Sequence, residues 1–256
     1  MLPGGTSGSM SVLVEAAQEA FQSEYVDPDG VQQRAPLAQT AGVRFEDCRP
    51  VRSFPSYKGQ RNFPGLWWSA TMGRHVGFES WLERDHAMPL DFDPCVVGFV
   101  PQPFRLSWRD GPRVRSHVPD WFARVDDGTG VVVDCRPAER IKPQDQAAFA
   151  ATKRACTAVG WAYRLVGAPD PVFIANLHWL AGYRHPRHRL RPVEARLLEV
   201  FAVPQPLLDG AATIGDPIAV LPVCYHLLWS RRLAVDLSVP LEDTSLVWLG
   251  EEARRA

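Results

Sequence analysis

The sequence predicts an α/β protein: a mixed sheet flanked by helices, followed by a smaller helical unit that ends in a hairpin. Three observations carry this. Between Arg74 and Val166 the apolar periodicity alternates between helix-like and strand-like in the order α-β-β-β-α-β, with a short extra strand near the front. The strands are separated by strong turn signals, the clearest being Asp126-Asp127-Gly128-Thr129-Gly130, where Asp-Gly supplies positive φ. After residue 192, helical patterns give way to two short apolar runs around a polar turn. The chain has 256 residues, of which 46% are hydrophobic and 22% charged, enough for one large domain or two modest ones.

Taken in order, residues 1–60 are weakly patterned. Val12–Phe21 predicts a short helix, and Pro28–Tyr57 reads as an extended arm rich in Pro, Arg and Gln. The aromatic segment Asn62–Gly73 is expected to pack on the core. In RHVGFESWLERDHAM (74–88), Phe78, Trp81, Leu82 and Met88 fall on one helical stripe with Glu79 beside it; Pro89 and DFDP should end that helix. Strands follow at Val96–Val100, Phe104–Trp108, Val114–Val125 and Val131–Asp134. A helix over Pro143–Val159, stopped by Gly160, leads to a strand at Trp161–Val166. This gives a domain over 61–170. Residues 171–191 are expected to be a basic linker containing a helix at Val172–Leu180. Residues 192–256 form a second unit: helices at Val193–Ala202 and Pro217–Arg232, the latter holding Pro222, then strands at Leu233–Leu237 and Ser245–Leu249. Helices followed by a small hairpin suggest a winged helix.

The formal net charge is −1, but the distribution is uneven: Gly182–Arg196 holds five arginines, two histidines and one glutamate. Arg184, Arg187, Arg189 and Arg191 are therefore candidate DNA-phosphate contacts. Five cysteines, none in a CxxC pair, fit a reducing compartment with free thiols. His185 and His188, with His178 upstream, lack the partners a zinc site needs. The opening residues have no basic region, Glu15 interrupts their apolar run, and no stretch is long enough to span a membrane. A cytoplasmic protein without membrane contact is expected. P-loop, GxGxxG and GxSxG motifs are missing, which disfavours small-molecule chemistry.

The decisive stretch is SHVPDWFARVDDGTGVVVDCRP (116–137). Side chains alternate along strands, so Val118, Asp120 and Phe122 share a face, as do Val132, Asp134 and Arg136. The hairpin brings Asp120 and Asp134 together, while Pro119 suggests a bulge or bend. Two converging carboxylates call for a cation, and Mg²⁺ suits one or two carboxylates plus water and phosphate. Such a metal activates water and stabilises phosphoryl displacement. Arg136 is placed to grip a phosphate, or to pair with Asp134. His117 should face away from Asp120 and be structural.

The pattern Pro119-Asp120, Asp134-Cys135-Arg136, preceded by a helix with a glutamate, resembles the PD-(D/E)xK nuclease motif. The longer run FESWLERDHAMPLDFDPCVVGFVPQPFRLSW, the RSHVPDWFARVDDGTGVVVDCRP segment, an alanine-rich helix and GWAYRLVG look like the TnsA-like endonuclease subunits of heteromeric transposases, over about residues 40–250. The resemblance implies a restriction-endonuclease-like core with a winged-helix-like C-terminal domain, Mg²⁺ dependence with Mn²⁺ as a substitute, and cleavage of the 5′ ends of transposon DNA. It implies as partners an RNase H-like transposase subunit and an AAA+ regulator ATPase. Carried over, Glu79, Asp120 and Asp134 are catalytic metal ligands, Cys135 contributes its backbone carbonyl, and Arg136 takes the lysine position. Arg cannot give up its proton in a protein. Lys142 is the nearest substitute by sequence, and Gln102 is a residue that could orient water or an acid. Two alternatives stand beside the transposase nuclease: a non-catalytic subunit that docks DNA or partners, and a restriction or repair nuclease.

Overall fold

The structure is a computed structural model that describes residues 21–53 and 63–255, with side chains to residue 253. The helix expected over Val12–Phe21 lies outside the described residues but for its last position. The architecture is mixed α/β, with several antiparallel and mixed sheets flanked by helices.

At the centre is a four-stranded sheet in the order β10-β9-β8-β5, formed by β5 (Val96–Pro101), β8 (Trp121–Val125), β9 (Gly130–Cys135) and β10 (Ala162–Val166). The β8–β9 hairpin pairs Trp121 with Val133 and Phe122 with Val132, and Gly128 takes the positive φ (87°) its turn requires. β10 returns parallel to β9 through helix α3 (Pro143–Ala158). A second sheet, in the order β2-β1-β6-β7, joins β1 (Gln22–Val26), β2 (Gln32–Pro36), β6 (Arg105–Asp110) and β7 (Arg113–His117).

Two expectations change here. Part of the supposed N-terminal arm is the β1–β2 hairpin, whose first strand pairs with β6, followed by the short helix α1 (Leu37–Thr40). The single strand expected over Val114–Val125 is two strands in two different sheets. Pro119 has no N–H to give a ladder, so the chain leaves one sheet at His117 and enters the other at Trp121. Asp120 sits in that crossing.

The faces of the central sheet follow the alternation. Trp121, Ala123, Val131, Val133 and Cys135 enter one core with helix α2 (Trp81–Phe92), helix α4 (Pro171–Ala181) and the C-terminal helices. Phe122 and Val132 enter the other with Phe45, Phe104, Trp161 and the inner face of α3. Phe45, fully buried, touches Phe104, Phe122 and Trp161 at ring distances of 5.0–5.7 Å. The aromatic segment packs in part: Trp67 is buried on β3 (Gly65–Ser69), paired with β4 (Arg74–Phe78), while Phe63 and Leu66 are exposed.

The helix expected from Arg74 therefore begins only at Trp81. Ser80 caps it, with its Oγ accepting from the Glu83 N–H at 3.2 Å. It continues through Pro89 to Phe92. The stretch expected as a basic linker contains α4, in which Leu177 and Leu180 are fully buried. The C-terminal unit runs α5 (Arg191–Val200), β11 (Gln205–Pro206), α6 (Leu207–Ala212), α7 (Pro217–Trp229), β12 (Leu233–Val235) and β13 (Leu246–Leu249), its sheet ordered β11-β13-β12. Its apolar residues are continuous with those of α2 and β3. Trp229 packs edge-on against Phe92 at 5.3 Å and lies 6.3 Å from Trp67, so the two units share one core. Among the described residues no helix is long and apolar enough to cross a membrane.

Candidate acid site

The crossing from β7 to β8 gives Asp120 its position. Its carbonyl accepts from the Gln102 N–H at 2.9 Å, and its Oδ2 accepts from the Cys135 N–H at 2.7 Å. Oδ1 has no hydrogen-bond partner among the described residues. Burial pushes the Asp120 carboxyl well above the usual carboxylate range, and the charges of Asp134 and Glu83 push it further. The Cys135 N–H and the Arg136 guanidinium oppose the shift without cancelling it.

Asp134 lies under the sheet on the α3 side and is fully buried. His117 Nε2 is hydrogen-bonded to its Oδ1 at 2.8 Å, and the Tyr163 hydroxyl donates to its Oδ2 at 2.7 Å. His117 thus holds one side of Asp134. Burial, followed by the Asp134 charge, raises the Tyr163 hydroxyl far above its ordinary value, which keeps it a donor. Asp134 therefore differs from the open ligand that the spacing suggested: each of its oxygens already holds a hydrogen bond, though an ionised carboxylate retains further lone pairs.

Glu79 does not stand on the helix. It precedes the N-cap, half-buried, and its Oε2 accepts from Arg52 Nη2 at 2.8 Å. The acid of the helix's first turn is Glu83. Its Oε2 accepts from the Glu79 N–H at 2.8 Å and its Oε1 from the Ser80 hydroxyl at 2.9 Å. Glu83 is buried, and burial raises its carboxyl. The Glu83 charge is among those that raise Asp120. The signal was present in Ser80-Trp81-Leu82-Glu83, a capping box, which places its glutamate on the inner side of the first turn.

Gln102 is buried and adopts a left-handed conformation (φ 47°), uncommon for a residue with a side chain. Its N–H holds the Asp120 carbonyl, its own carbonyl accepts from the Val51 N–H at 3.0 Å, and its Oε1 is buried with no partner among the described residues. Strain and an unsatisfied polar atom together one bond from Asp120 mark a position held for its site rather than for stability. Cys135 is buried, and its thiol is raised by burial and the surrounding acids, so it stays protonated. Arg136 is exposed and forms no ion pair with Asp134; its field nonetheless reaches Asp120. Lys142 caps α3, its N–H donating to Asp145 Oδ2 at 3.1 Å.

Among the described residues no three His, Cys, Asp or Glu side chains gather closely enough to hold a metal by themselves. Mg²⁺ in its usual mode takes only one or two carboxylates and leaves the remaining positions to water and phosphate, and Asp120 Oδ1 is a carboxylate oxygen with no hydrogen-bond partner among the described residues. The observation behind this fit is the raised Asp120–Glu83 pair, which a divalent cation would relieve.

The basic run splits. Arg184 turns inward: its Nε donates to the Trp68 carbonyl at 2.7 Å and its guanidinium stacks 3.9 Å from the Trp67 ring, so it serves the fold rather than an open DNA surface. Arg189 pairs with buried Glu194 at 3.3 Å. Arg187 and Arg191 remain exposed. Helix α7 is buried from Val223 to Trp229 and carries no Lys or Arg, so it offers no charged face to a DNA groove. The chain matches no protein-family model, and no curated protein matches it.

Proposed function

We propose that the protein is a Mg²⁺-dependent endonuclease subunit that cuts DNA phosphodiesters, and that its setting is the 5′ ends of a transposon in a TnsA-like heteromeric transposase. The observation that carries this is Asp120, held by the Cys135 N–H and raised by burial and by the charges of Asp134 and Glu83, with exposed Arg136 just after β9 acting against that shift. The mixed sheet with α2 and α3 on its two faces supports a restriction-endonuclease-like core. The order α5-β11-α6-α7-β12-β13, with β13 between the other two strands, supports a winged-helix-like unit.

Bound Mg²⁺ would supply Lewis-acid activation of water and charge neutralisation on the phosphoryl oxygens. Asp120 Oδ1 and Glu83 would hold it, with the Cys135 backbone carbonyl as the further oxygen. The Cys135 N–H and the Gln102 N–H fix the Asp120 side chain and backbone, so Oδ1 has one direction. Asp134, clamped by His117 and Tyr163, supplies fixed negative charge behind the site. Arg136 grips a non-bridging phosphate oxygen and cannot act as the base. Since α7 has no basic face, the C-terminal unit serves contact with the transposase or AAA+ partner rather than groove readout.

The test is cleavage of labelled transposon-end DNA by the nuclease–transposase pair with Mg²⁺, comparing wild type with Asp120→Ala, Glu83→Ala and Arg136→Lys. Strand cuts in wild type that vanish in Asp120→Ala and Glu83→Ala are expected. Arg136→Lys should keep activity within about tenfold, because a point charge replaces a bidentate grip. A second reading, a non-catalytic docking subunit, is favoured by the two hydrogen bonds that already occupy Asp134. It predicts partner and DNA binding with no cut by any of the four proteins.

A further inference from the structure

Another charged feature lies at the opposite end of α2 from Glu83. A cavity of about 370 Å³ opens between the β3–β4 turn, the end of α2 and the C-terminal unit. Arg184, Arg189, Arg231 and Arg232 all line it, together with His226. Three of the arginines are engaged. Arg184 is anchored on Trp67 and Trp68 close to Asp91, while Arg189 and Arg232 grip Glu194 at 3.3 and 2.7 Å. Asp93, the other acid on the wall, accepts from the Cys95 N–H. Four arginines against Asp91, Asp93 and Glu194 leave one positive charge in excess.

That excess is Arg231. No carboxylate among the described residues pairs with it, and its guanidinium lies 4.7 Å from the Phe92 ring centre. Its backbone is left-handed (φ 60°), a conformation that glycine takes without penalty and arginine does not. The chain around it is built to keep this turn. A Cβ on Gly250 would lie 1.9 Å from the Arg231 carbonyl oxygen, and the Gly250 N–H donates to the Arg232 carbonyl at 2.9 Å. The turn closes helix α7: the Arg231 N–H donates to the Leu228 carbonyl at 3.2 Å and the Arg232 N–H to the Leu227 carbonyl at 3.0 Å, so the left-handed residue is set by the helix end and Arg231 is held at the cavity wall with its charge unmatched by a carboxylate among the described residues.

We propose that this cavity is an anion site for a phosphate group, with Arg231 as its free ligand and the anchored arginines supplying the surrounding field. The phosphate is either a free ion or a phosphodiester of nucleic acid. The nucleic-acid source rests on the nuclease reading above; the anion site itself does not. Glu83 and Phe92 are about 14 Å apart along α2 at 1.5 Å per residue. A DNA strand with one phosphate per 3.4 Å of axis would span both places in about four nucleotides.

The test uses the full chain and two readouts, neither of which involves cleavage or Mg²⁺. Thermal unfolding is followed in sodium phosphate and in sodium chloride of equal ionic strength, for wild type, Arg231→Gly and Arg231→Asn. Wild type should gain about 3 °C at tenfold the phosphate dissociation constant. Arg231→Gly should start from a higher melting temperature in chloride, because strain is relieved, and should lose the phosphate gain. Arg231→Asn, which tolerates the left-handed conformation, should lose it too. Binding of a labelled duplex is then followed across salt concentration. If DNA is the source, Arg231→Gly weakens binding several-fold and lowers the salt slope by about 0.9. A phosphate gain with unchanged duplex binding assigns the site to free phosphate and overturns the DNA source. No gain in wild type, or an equal gain in Arg231→Gly, overturns the site.

Discussion

Glu194, in the C-terminal unit, and Asp120, at the end of the central sheet, are acids in partly desolvated surroundings with arginine nearby, yet they are provided for in opposite ways. Burial acts to raise the Glu194 carboxyl, but hydrogen bonds from Arg189 and Arg232 more than offset it, and it ends below the usual range. Asp120 receives one backbone N–H and a distant arginine, faces two further acids, and ends well above that range. The first arrangement stabilises the folded chain; the second destabilises it. An acid kept at such a cost, beside a strained Gln102 with an unpartnered oxygen, marks where function overrides stability.

The largest effect that sharpens this contrast is on cleavage. Asp120→Asn keeps the shape and one hydrogen-bond acceptor but removes the charge that would hold Mg²⁺; DNA cutting should fall at least about 100-fold. Glu194→Ala should do the reverse: leave the acid site alone and cost the fold about 2–4 kcal/mol, since two guanidiniums lose the carboxylate they share. Urea titration at pH 7 checks this. If Glu194→Ala unfolds at the wild-type midpoint, Glu194 does not hold the unit together and the contrast breaks.

A smaller effect separates the two helix-entry acids. Glu83→Gln should lower cleavage at least tenfold and cost less than about 1 kcal/mol of stability, since the amide still accepts one cap bond. Glu79→Gln should change both far less, because Glu79 meets only half-exposed Arg52. Cleavage rates measured side by side decide it. An equal or larger loss from Glu79→Gln would return the helix-acid role to Glu79.

Much of this was legible in the sequence because alternation and turn chemistry are local. The DDGTG hairpin, the α3 crossover and the pairing of the Asp120 and Asp134 segments follow from periods of two and from glycines in turns. The failures were non-local. Which sheet a strand joins cannot be read from its own alternation, so the break at Pro119 looked like a bulge inside one strand. Alternation along a single strand says only that His117 faces away from Asp120; the contact it makes with Asp134 joins the two sheets and is not legible from either strand alone. Arg184 showed a like limit: charge predicts a solvated face, but the Trp67-Trp68 pair that captures it lies 116 residues away. Glu83 was within reach of the sequence. The Ser80-Trp81-Leu82-Glu83 capping box marks the helix start, whereas a stripe that begins at Phe78 places the start too early and puts Glu79 on the helix.

The smallest expected effect follows from the sign of the Asp120 shift. Asp120 and Glu83 both have folded-state values raised above their unfolded ones. Between the ordinary carboxylate value, about 4, and those raised values, the folded state binds more protons than the unfolded one. Stability from these two acids therefore falls as pH rises through that window and stays low above it. Asp120→Asn removes its share of the loss, so the variant should melt about 2–4 °C higher than wild type at pH 7, the change ~1 kcal/mol makes in a chain of this size. The gap should close at pH 4. Adding Mg²⁺ should raise the wild-type melting temperature at pH 7 and leave Asp120→Asn nearly unmoved, because an ion that binds only the charged folded site stabilises only the protein that has it. Scans at pH 4 and pH 7, with and without Mg²⁺, read all three. A destabilised Asp120→Asn at pH 7 would mean that the Cys135 N–H and Arg136 outweigh desolvation, and that Asp120 belongs with Glu194 among the acids that hold the fold.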